Sequence, residues 1–307
     1  MNIPVIASTQ PVYLLKVGKS RVKILTEGAR MTWWIGEGKE KRAVLYHNDG
    51  FTPHYTHPCG PIYGAISTDP TIKNNMQYFF GKDHIIPPHG FLRDIQWAFI
   101  NRAETKLEGP NASIRLETEN LPGKLDHEHI YIRQYPYFFR FHLAITLRSE
   151  NELHYKLTFI NMDNKDVPLD MASQTYFPWE EDIKISGFDE HIYHDETIWE
   201  ERSYYTFKGD NFGDKMLRDW HFIGRNEHNP LTITYQDQRK IYLKPGNDFS
   251  DINPQNIVVW TNPDRGDFLC ITPVLRQRNS FNSKKGILFV HPGETVSLSF
   301  TLRIEGF

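Results

Sequence analysis

Strict alternation of apolar and polar residues in the middle of the chain constrains the fold more than any other feature of the sequence. Apolar side chains occupy every second position on both sides of a short turn at 149–151, namely Phe139, Phe141, Leu143, Ile145 and Leu147 before it and Leu153, Tyr155, Leu157 and Phe159 after it. A period of two places alternate side chains on opposite faces of a β-strand. The pattern therefore predicts a long antiparallel hairpin with one face buried.

Further strands are predicted on both sides of this hairpin. Short runs rich in β-branched and aromatic residues lie at 12–17, 22–26, 31–35 and 43–46, and the alternating pattern returns at 296–304. Glycine-containing turns separate the four N-terminal runs, which is typical of an antiparallel meander. Many strands at short spacing, without a long amphipathic helix, predict an all-β protein with two large packed antiparallel sheets and few short helices.

The region 198–229 has no steady period and is rich in aromatic, aspartate and glycine residues. We interpret it as a loop over the sheet face, with a short helix at 214–218. Five aromatic side chains of this region either line a ligand groove or pack beneath the loop: Trp199, Tyr204, Tyr205, Phe207 and Trp220.

Length and charge limit the number of domains and the kind of partner. The chain has 307 residues, and all-β sandwiches of this size commonly form one unit, so we expect a single domain over 1–307. The 35 basic and 38 acidic residues give a formal net charge of −3. This balance provides no electrostatic footprint for nucleic acid or for an anionic membrane. The expected partner is therefore a small molecule.

Cysteine usage and the N-terminal segment predict a cytoplasmic location. The two cysteines, Cys59 and Cys270, lie in apolar, strand-like surroundings without a C-x-x-C or His-rich metal spacing, which indicates a reducing compartment. Residues 1–10 lack a basic start followed by an apolar core, and no run approaches the roughly 18 apolar residues of a membrane span. We expect a soluble cytoplasmic protein.

A histidine-containing stretch at 48–61 is rich in glycine and proline. Together with the preceding residue it offers His47, His54 and His57, which suggests a metal site, but no carboxylate or thiolate accompanies them at the usual ligand spacing. The interpretation we favour is a solvated, mobile loop. Neither a metal nor another cofactor is predicted.

The segment Pro87-Pro88-His89-Gly90-Phe91-Leu92-Arg93-Asp94-Ile95-Gln96-Trp97 carries the densest group of specialised residues. Two prolines prevent a helix, and Gly90 permits close approach of the backbone. His89 and Arg93 then offer a titratable donor and a fixed cation. The segment predicts a loop that faces a ligand, although a rigid turn whose His and Arg bind backbone carbonyls has the same composition.

His-Gly-Phe-x-Arg-x-x-x-Trp in this segment resembles a signature of the aldose 1-epimerases, most closely of the hexose-6-phosphate 1-epimerase branch. Three later segments are similar to further motifs of the family and follow in its order: Gln-Thr-Tyr-Phe at 174–177, Val-Val-Trp-Thr-Asn-Pro at 258–263 and Phe-Leu-Cys-Ile-Thr-Pro at 268–273. The resemblance implies a β-sandwich of the galactose-mutarotase-like (supersandwich) type and a small sugar as ligand.

The resemblance also places the expected catalytic pair. Mutarotation requires a base that removes the proton of the anomeric hydroxyl and an acid that protonates the ring oxygen. The family implies a glutamate base at the position of Thr272 and a histidine acid at the position of Gln174. Neither an amide nor a hydroxyl exchanges protons near neutral pH. The sequence therefore predicts that ordinary mutarotase catalysis is lost or weak, whereas hydrogen bonding to sugar hydroxyls is retained.

Tyr63 stands where the phosphate-sugar branch shows an arginine. An aromatic ring can stack on a sugar but cannot neutralise a phosphate, which weakens the case for a phosphorylated ligand. A half-buried strand aromatic is the alternative interpretation of Tyr63. The predicted sugar contacts are His89, Arg93, Gln174, Thr272, Tyr63 and Asp94.

Three functions are compatible with these residues. The first is an epimerase-like carbohydrate-binding protein with little catalysis. The second is an active aldose or hexose-phosphate 1-epimerase with an unorthodox pair: His89 as acid and, as base, Asp94, His142, Glu180, Glu181 or a carboxylate of the region 198–229. The third is an interaction β-sandwich without a sugar site. The sequence specifies neither the sugar nor the oligomeric state.

Overall fold

A computed structural model of the chain describes residues 11–37, 41–47, 55–63, 77–78, 85–86, 89–100, 106–120, 135–180, 182–187, 192–195, 204–206, 220–223, 230–246, 256–261, 268–275 and 287–307. These residues form strands, turns and bends, and no helix occurs among them. Over the same ranges, no helix is long and apolar enough to cross a membrane.

The strands within these ranges are, in chain order, β1 (Val12–Val17), β2 (Ser20–Leu25), β3 (Met31–Ile35), β4 (Arg42–Ala43), β5 (His57–Cys59), β6 (Gln77–Tyr78), β7 (Ile85–Ile86), β8 (Ala98–Phe99), β9 (Ala112–Asn120), β10 (Phe139–Ser149), β11 (Glu152–Asn161), β12 (Val167–Leu169), β13 (Ala172–Pro178), β14 (Lys184–Ser186), β15 (Ile192–Asp195), β16 (Tyr204–Thr206), β17 (Trp220–Ile223), β18 (Leu231–Thr234), β19 (Lys240–Pro245), β20 (Asn256–Thr261), β21 (Phe268–Val274), β22 (Leu288–Val290) and β23 (Thr295–Glu305).

The N-terminal strands form the predicted meander, a four-stranded sheet in the order β1-β2-β3-β4. The fourth strand is shorter than predicted, since it covers Arg42–Ala43 rather than 43–46. The backbone N–H groups of Val44 and Leu45 both donate to the carbonyl oxygen of Trp33, at 2.9 and 3.1 Å. Two successive donors on one acceptor cannot continue a ladder, so pairing ends there.

The predicted central hairpin is confirmed as β10 and β11 at the middle of an eight-stranded sheet, in the order β14-β18-β19-β23-β11-β10-β9-β8. Its register pairs Phe141 with Phe159 and Leu143 with Leu157, so the apolar residues of both strands share one face. That face is buried, and the predicted C-terminal strand β23 extends it beside β11.

A seven-stranded sheet, in the order β16-β15-β17-β20-β21-β13-β5, covers this apolar face. Phe177, Leu269 and Ile271 from the seven-stranded sheet share one continuous core with Phe141 and Leu157 from the eight-stranded sheet. Two antiparallel sheets packed face to face confirm the prediction of an all-β sandwich. The seven-stranded sheet therefore has a core-facing side and an opposite side.

The interpretation of 198–229 as a loop over the sheet is wrong for the described part of that region. Tyr204–Thr206 and Trp220–Ile223 are strands, and both pair with β15 at one end of the seven-stranded sheet. β17 also pairs with β20, which supplies ladder partners on both of its sides. Trp199, Phe207 and the predicted helix at 214–218 lie outside the described residues.

The prediction of a solvated loop at 48–61 is also wrong where the structure describes that stretch. His57–Cys59 is a buried strand that pairs with β13, and residues 48–54, which include His54, lie outside the described residues. β5 is the last strand of its sheet. An edge strand tolerates proline because one row of its donors needs no ladder partner, which explains how Pro58 is accommodated.

Candidate functional site

The segment 89–97, which contains the His-Gly-Phe motif, forms a turn that we call the motif turn and that is held against β5 and the N-terminal sheet. Gly60 N–H donates to the His89 carbonyl at 3.0 Å, and Phe91 N–H donates back to the Gly60 carbonyl at 2.9 Å. Gly90 has a φ of +75°, and a Cβ there would lie 2.0 Å from the Gly60 carbonyl oxygen. Only glycine fits this close approach. The turn thus fixes the backbone of the motif relative to β5.

Two aromatic residues of the motif anchor the turn in the main core. Phe91 and Trp97 are fully buried there, and Trp97 Nε1 donates to the Leu92 carbonyl at 3.0 Å. Their role is packing rather than ligand contact. His89 and Arg93 are not part of this core cluster and remain the predicted ligand contacts of the motif.

His89 packs against Tyr63. Their ring centroids are 4.9 Å apart with an interplanar angle of 27°, and Tyr63 is buried. Tyr63 follows β5 in a non-strand segment, so the alternative interpretation of a half-buried strand aromatic is wrong. Tyr63 also packs in a small apolar cluster with Cys59 and Val258, which links the motif turn to the seven-stranded sheet.

Arg93 and Asp94 lie at the more exposed end of the turn. Arg93 Nε is 3.8 Å from Asp94 Oδ2, and the two side chains are 30% and 42% exposed. Burial raises the pKa of Cys59 to about 12, and the charge of Arg93 opposes that rise. Burial also raises the pKa of Tyr176 well above its usual value, again against the influence of Arg93. Arg93 therefore lies within electrostatic reach of the buried sheet face that carries Cys59 and Tyr176.

The two positions matched to the family's catalytic pair lie side by side on this sheet. β13 and β21 keep one antiparallel register along their length, which aligns Gln174 with Thr272. Gln174 pairs with His57 on one flank, and Thr272 pairs with Val258 on the other. Residues that are opposite one another across antiparallel strands share a face. We call His57, Gln174, Thr272 and Val258 the site row, and all four are buried.

Each polar side chain of the site row has an ordered neighbour. Tyr176 Oη donates to Gln174 Oε1 at 3.4 Å, which orients the amide so that its NH₂ group is directed away from the phenol. The Thr272 hydroxyl lies 3.4 Å from the Cys270 thiol. His57 Nδ1 bonds to the Tyr55 carbonyl oxygen. The row therefore presents an amide, a hydroxyl and an imidazole in fixed orientations.

Apolar clusters flank the row on both sides along the strands. One contains Cys59, Tyr63, Ala172 and Val274 together with Val258 of the row itself, and the other contains Tyr176, Phe268 and Cys270, with Tyr46 packed against it. Neither cluster belongs to the main core between the sheets. A few convergent polar groups between apolar walls are typical of a small-molecule site.

Two of the sequence-predicted alternative bases are bound to partners outside the row. His142 lies on β10 of the other large sheet, where its Nε2 is 2.5 Å from Glu117 Oε2. Glu180 accepts a hydrogen bond from Arg239 at 2.6 Å, beside the strands β18 and β19. Glu181 lies outside the described residues. Of the groups proposed for an unorthodox pair, only His89 and Asp94 lie on the motif turn.

His57 was missed as a candidate site residue because its stretch reads as a loop. The alternation of Tyr55, His57 and Cys59 with smaller residues is the signal of the strand, and Pro58 obscures it. No group of three or more His, Cys, Asp or Glu side chains in the described ranges could hold a metal ion. The described residues of the site thus offer hydrogen-bonding groups, aromatic rings and, within the row, one imidazole.

Comparison with known proteins places this geometry in a family. The sequence matches the model of the aldose 1-epimerase family over residues 11–303. Comparison with curated protein sequences gives no match.

Solved structures share the fold. The Slr1438 protein of Synechocystis superposes with a TM-score of 0.78 at 18% identity and full coverage of both chains. A putative aldose 1-epimerase of Escherichia coli K12 gives 0.71 at 15% identity, covering 96% of this chain and 99% of that one. A GalM/aldose epimerase homologue from C. elegans gives 0.66 at 11% identity, with coverages of 96% and 99%. The family match spans nearly the whole chain, and the protein therefore belongs to the aldose 1-epimerase family.

Proposed function

We propose that the protein binds a hexose or a related sugar over the site row, and that ordinary mutarotase catalysis is lost or weak. The observation that carries this proposal is the placement of Gln174 and Thr272. They lie on adjacent strands, in one register and on one buried face, at the positions that the family resemblance assigns to the acid and the base. The site is retained, but its two matched side chains do not transfer protons near neutral pH.

The retained groups suit sugar hydroxyls. An amide both donates and accepts hydrogen bonds, as does a hydroxyl, and each can replace a water that a sugar loses on binding. Tyr63 and Tyr176 supply aromatic faces beside the row, on which the C–H face of a pyranose can stack. Arg93 supplies a planar fork of donors at the rim.

The motif turn is most similar to the hexose-6-phosphate branch of the family. Tyr63, matched to an arginine of that branch, cannot neutralise a phosphate, so we propose neutral hexoses as the preferred ligands over hexose phosphates. Tight binding of phosphorylated sugars alone would overturn this preference without affecting the proposal of a sugar site.

The second candidate function is active epimerisation with an unorthodox acid–base pair. The specific observation in its favour is that two imidazoles, those of His57 and His89, lie in or beside the proposed site. A third possibility, an interaction sandwich without a sugar site, is distinguished by ligand binding itself.

Titration by calorimetry or ligand-observed NMR tests the proposal. The panel of ligands contains hexoses, hexose 6-phosphates and uronic acids. We expect a neutral hexose to bind. Gln174→Leu should weaken binding roughly tenfold, because hydrogen bonds of about 1 kcal/mol each are removed. Gln236→Leu is the matched control: the same replacement on an exposed turn should leave affinity unchanged. Absence of binding across the panel would reject the sugar site and favour the interaction sandwich.

A further inference from the structure

His57 is the one imidazole within the site row, and it lies one strand away from Gln174. The register pairs these two residues directly across β5 and β13. Opposite residues in antiparallel strands have Cβ atoms about 4.5–5.5 Å apart, and neighbouring strands are about 4.8 Å apart. The row thus contains a histidine displaced by one strand spacing from the position at which the family resemblance implies one.

We propose that His57 is the proton-transfer residue of this site and that it accepts the proton of the anomeric hydroxyl of the bound sugar. This inference rests on the proposed sugar binding over the row. It adds a single acid–base group to a site whose two matched positions have none. The resulting anomer exchange is weak, because one such group works without its partner.

Hydrogen bonding fixes the tautomer that this role requires. A backbone carbonyl oxygen only accepts, so the contact of His57 Nδ1 with the Tyr55 carbonyl makes Nδ1 the protonated nitrogen. In the neutral ring the lone pair is then on Nε2. A carbonyl on Nδ1 also orients the ring and increases its basicity, as it does for histidines that bind metals. The ring of Tyr176, whose centroid is 6.2 Å away, packs on the same side of the sheet.

Two ionisable neighbours of the imidazole keep their protons near neutral pH. Cys59 on the same strand keeps its proton, since burial raises its pKa to about 12, and burial holds the pKa of Tyr176 on β13 well above its usual value. Among the described residues, Arg93 and Asp94 on the motif turn both act electrostatically on Cys59 of this face. Imidazole is the side chain whose ordinary charge change falls between pH 5 and 8.

The chemical step conserves atoms and charge. Nε2 of His57 takes the proton of the C1 hydroxyl, the C1=O bond forms, and the C1–O5 bond breaks with its electron pair on O5. Water gives a proton to O5 and the resulting hydroxide is neutralised by the imidazolium. After rotation about C1–C2, each transfer runs in reverse and closes the ring on the other face.

Magnetisation-transfer NMR of the hexose that binds most tightly measures the anomer exchange. We expect the wild type to exceed buffer by about 10²-fold, the lower end of the contribution of one acid–base group. His57→Gln should return the rate to that of buffer while the sugar still binds. His142→Gln, which alters a histidine of the other large sheet, should leave the rate unchanged.

A pH profile separates proton transfer from packing. The wild-type rate should fall as pH decreases from 8 to 5, because the protonated ring cannot act as a base. His89 is a second imidazole beside the site, so the profile is repeated in His89→Gln and should persist there. The pH profile also tests the proton-transfer role of the imidazole if His57→Gln does not fold.

The inference is overturned by a wild-type rate equal to buffer in the presence of bound sugar, by an unchanged rate in folded His57→Gln, or by a flat pH profile. Those outcomes leave the proposed binding function in place. Absence of any sugar binding by the wild type rejects both.

Discussion

The two large sheets share one core but differ in the burial of their second face. In the eight-stranded sheet, apolar residues face the core and polar residues face outward, where they pair with one another across strands. Arg140 bonds to Glu119 at 2.7 Å, and His142 bonds to Glu117. Such cross-strand pairs satisfy the polar groups locally and contribute little to stability.

The seven-stranded sheet is buried on both faces at its β5, β13 and β21 end. Its core-facing side is largely apolar but includes the buried polar residues Ser173 and Thr175, whereas the opposite side carries the site row. Buried polar side chains retain some donor and acceptor capacity beyond the bonds described above, and a ligand rich in hydroxyls can use it. The proposed site therefore lies where polar residues on the side of a strand that faces away from the core are buried rather than exposed.

The largest expected effect concerns the attachment of the motif turn to the seven-stranded sheet. Gly90→Ala combines a φ of +75° with a Cβ at 2.0 Å from a carbonyl oxygen, so it should cost roughly 3 to 5 kcal/mol of unfolding free energy. Gly293→Ala, with a φ of +77° and nothing within 4 Å of its Cβ, should cost only about 1 to 2 kcal/mol.

Urea unfolding followed by tryptophan fluorescence measures both variants. Equal costs for Gly90→Ala and Gly293→Ala would show that the close approach between the turn and β5 is not tight. The tight packing at the β5 end of the seven-stranded sheet would then not include the motif turn.

The next largest effect is a loss of sugar affinity, which we expect on replacing Arg93 of the motif turn but not Arg140 of the eight-stranded sheet. Arg93→Ala should abolish measurable sugar binding, because charge-assisted hydrogen bonds of about 1.5 to 3 kcal/mol are lost while the fold is retained. Arg140→Ala on the eight-stranded sheet is the control, since its side chain is 31% exposed against 30% for Arg93. It should change stability by about 1 kcal/mol or less and leave affinity intact.

Calorimetric titration with the preferred hexose measures both arginine variants. Unchanged affinity in a folded Arg93→Ala protein would remove the motif turn from the site. Loss of affinity in Arg140→Ala would instead place the ligand on the outer face of the eight-stranded sheet.

Local pattern was sufficient to predict the strands that obey a period of two. The hairpin of β10 and β11 and the terminal strand β23 follow from alternation alone, because each strand has one buried face. The strands at 204–206 and 220–223, within the region 198–229, were misinterpreted because they are only three and four residues long and are held by other strands. Tertiary pairing overrides a weak local signal.

Long-range register limited what could be predicted about the site. The motif comparison selected Gln174 and Thr272, but the alignment of Gln174 with His57 depends on a pairing between distant segments. Period and propensity contain no information on which strand lies beside β13. Pro58 further hid β5, because proline is acceptable in that strand only at the edge of a sheet.

Anomer exchange of the preferred hexose in wild type and in the double variant Gln174→His plus Thr272→Glu tests the central claim most directly, namely that the site row remains while proton transfer has left these two positions. We predict a wild-type rate no more than about 10²-fold above buffer and a further increase in the double variant, with either single replacement doing less because acid and base act as a unit. Titration verifies that the double variant still binds the sugar. A wild-type rate at least about 10⁴-fold above buffer, unchanged or lowered in the double variant, would contradict the account and establish a full catalytic pair elsewhere in the site.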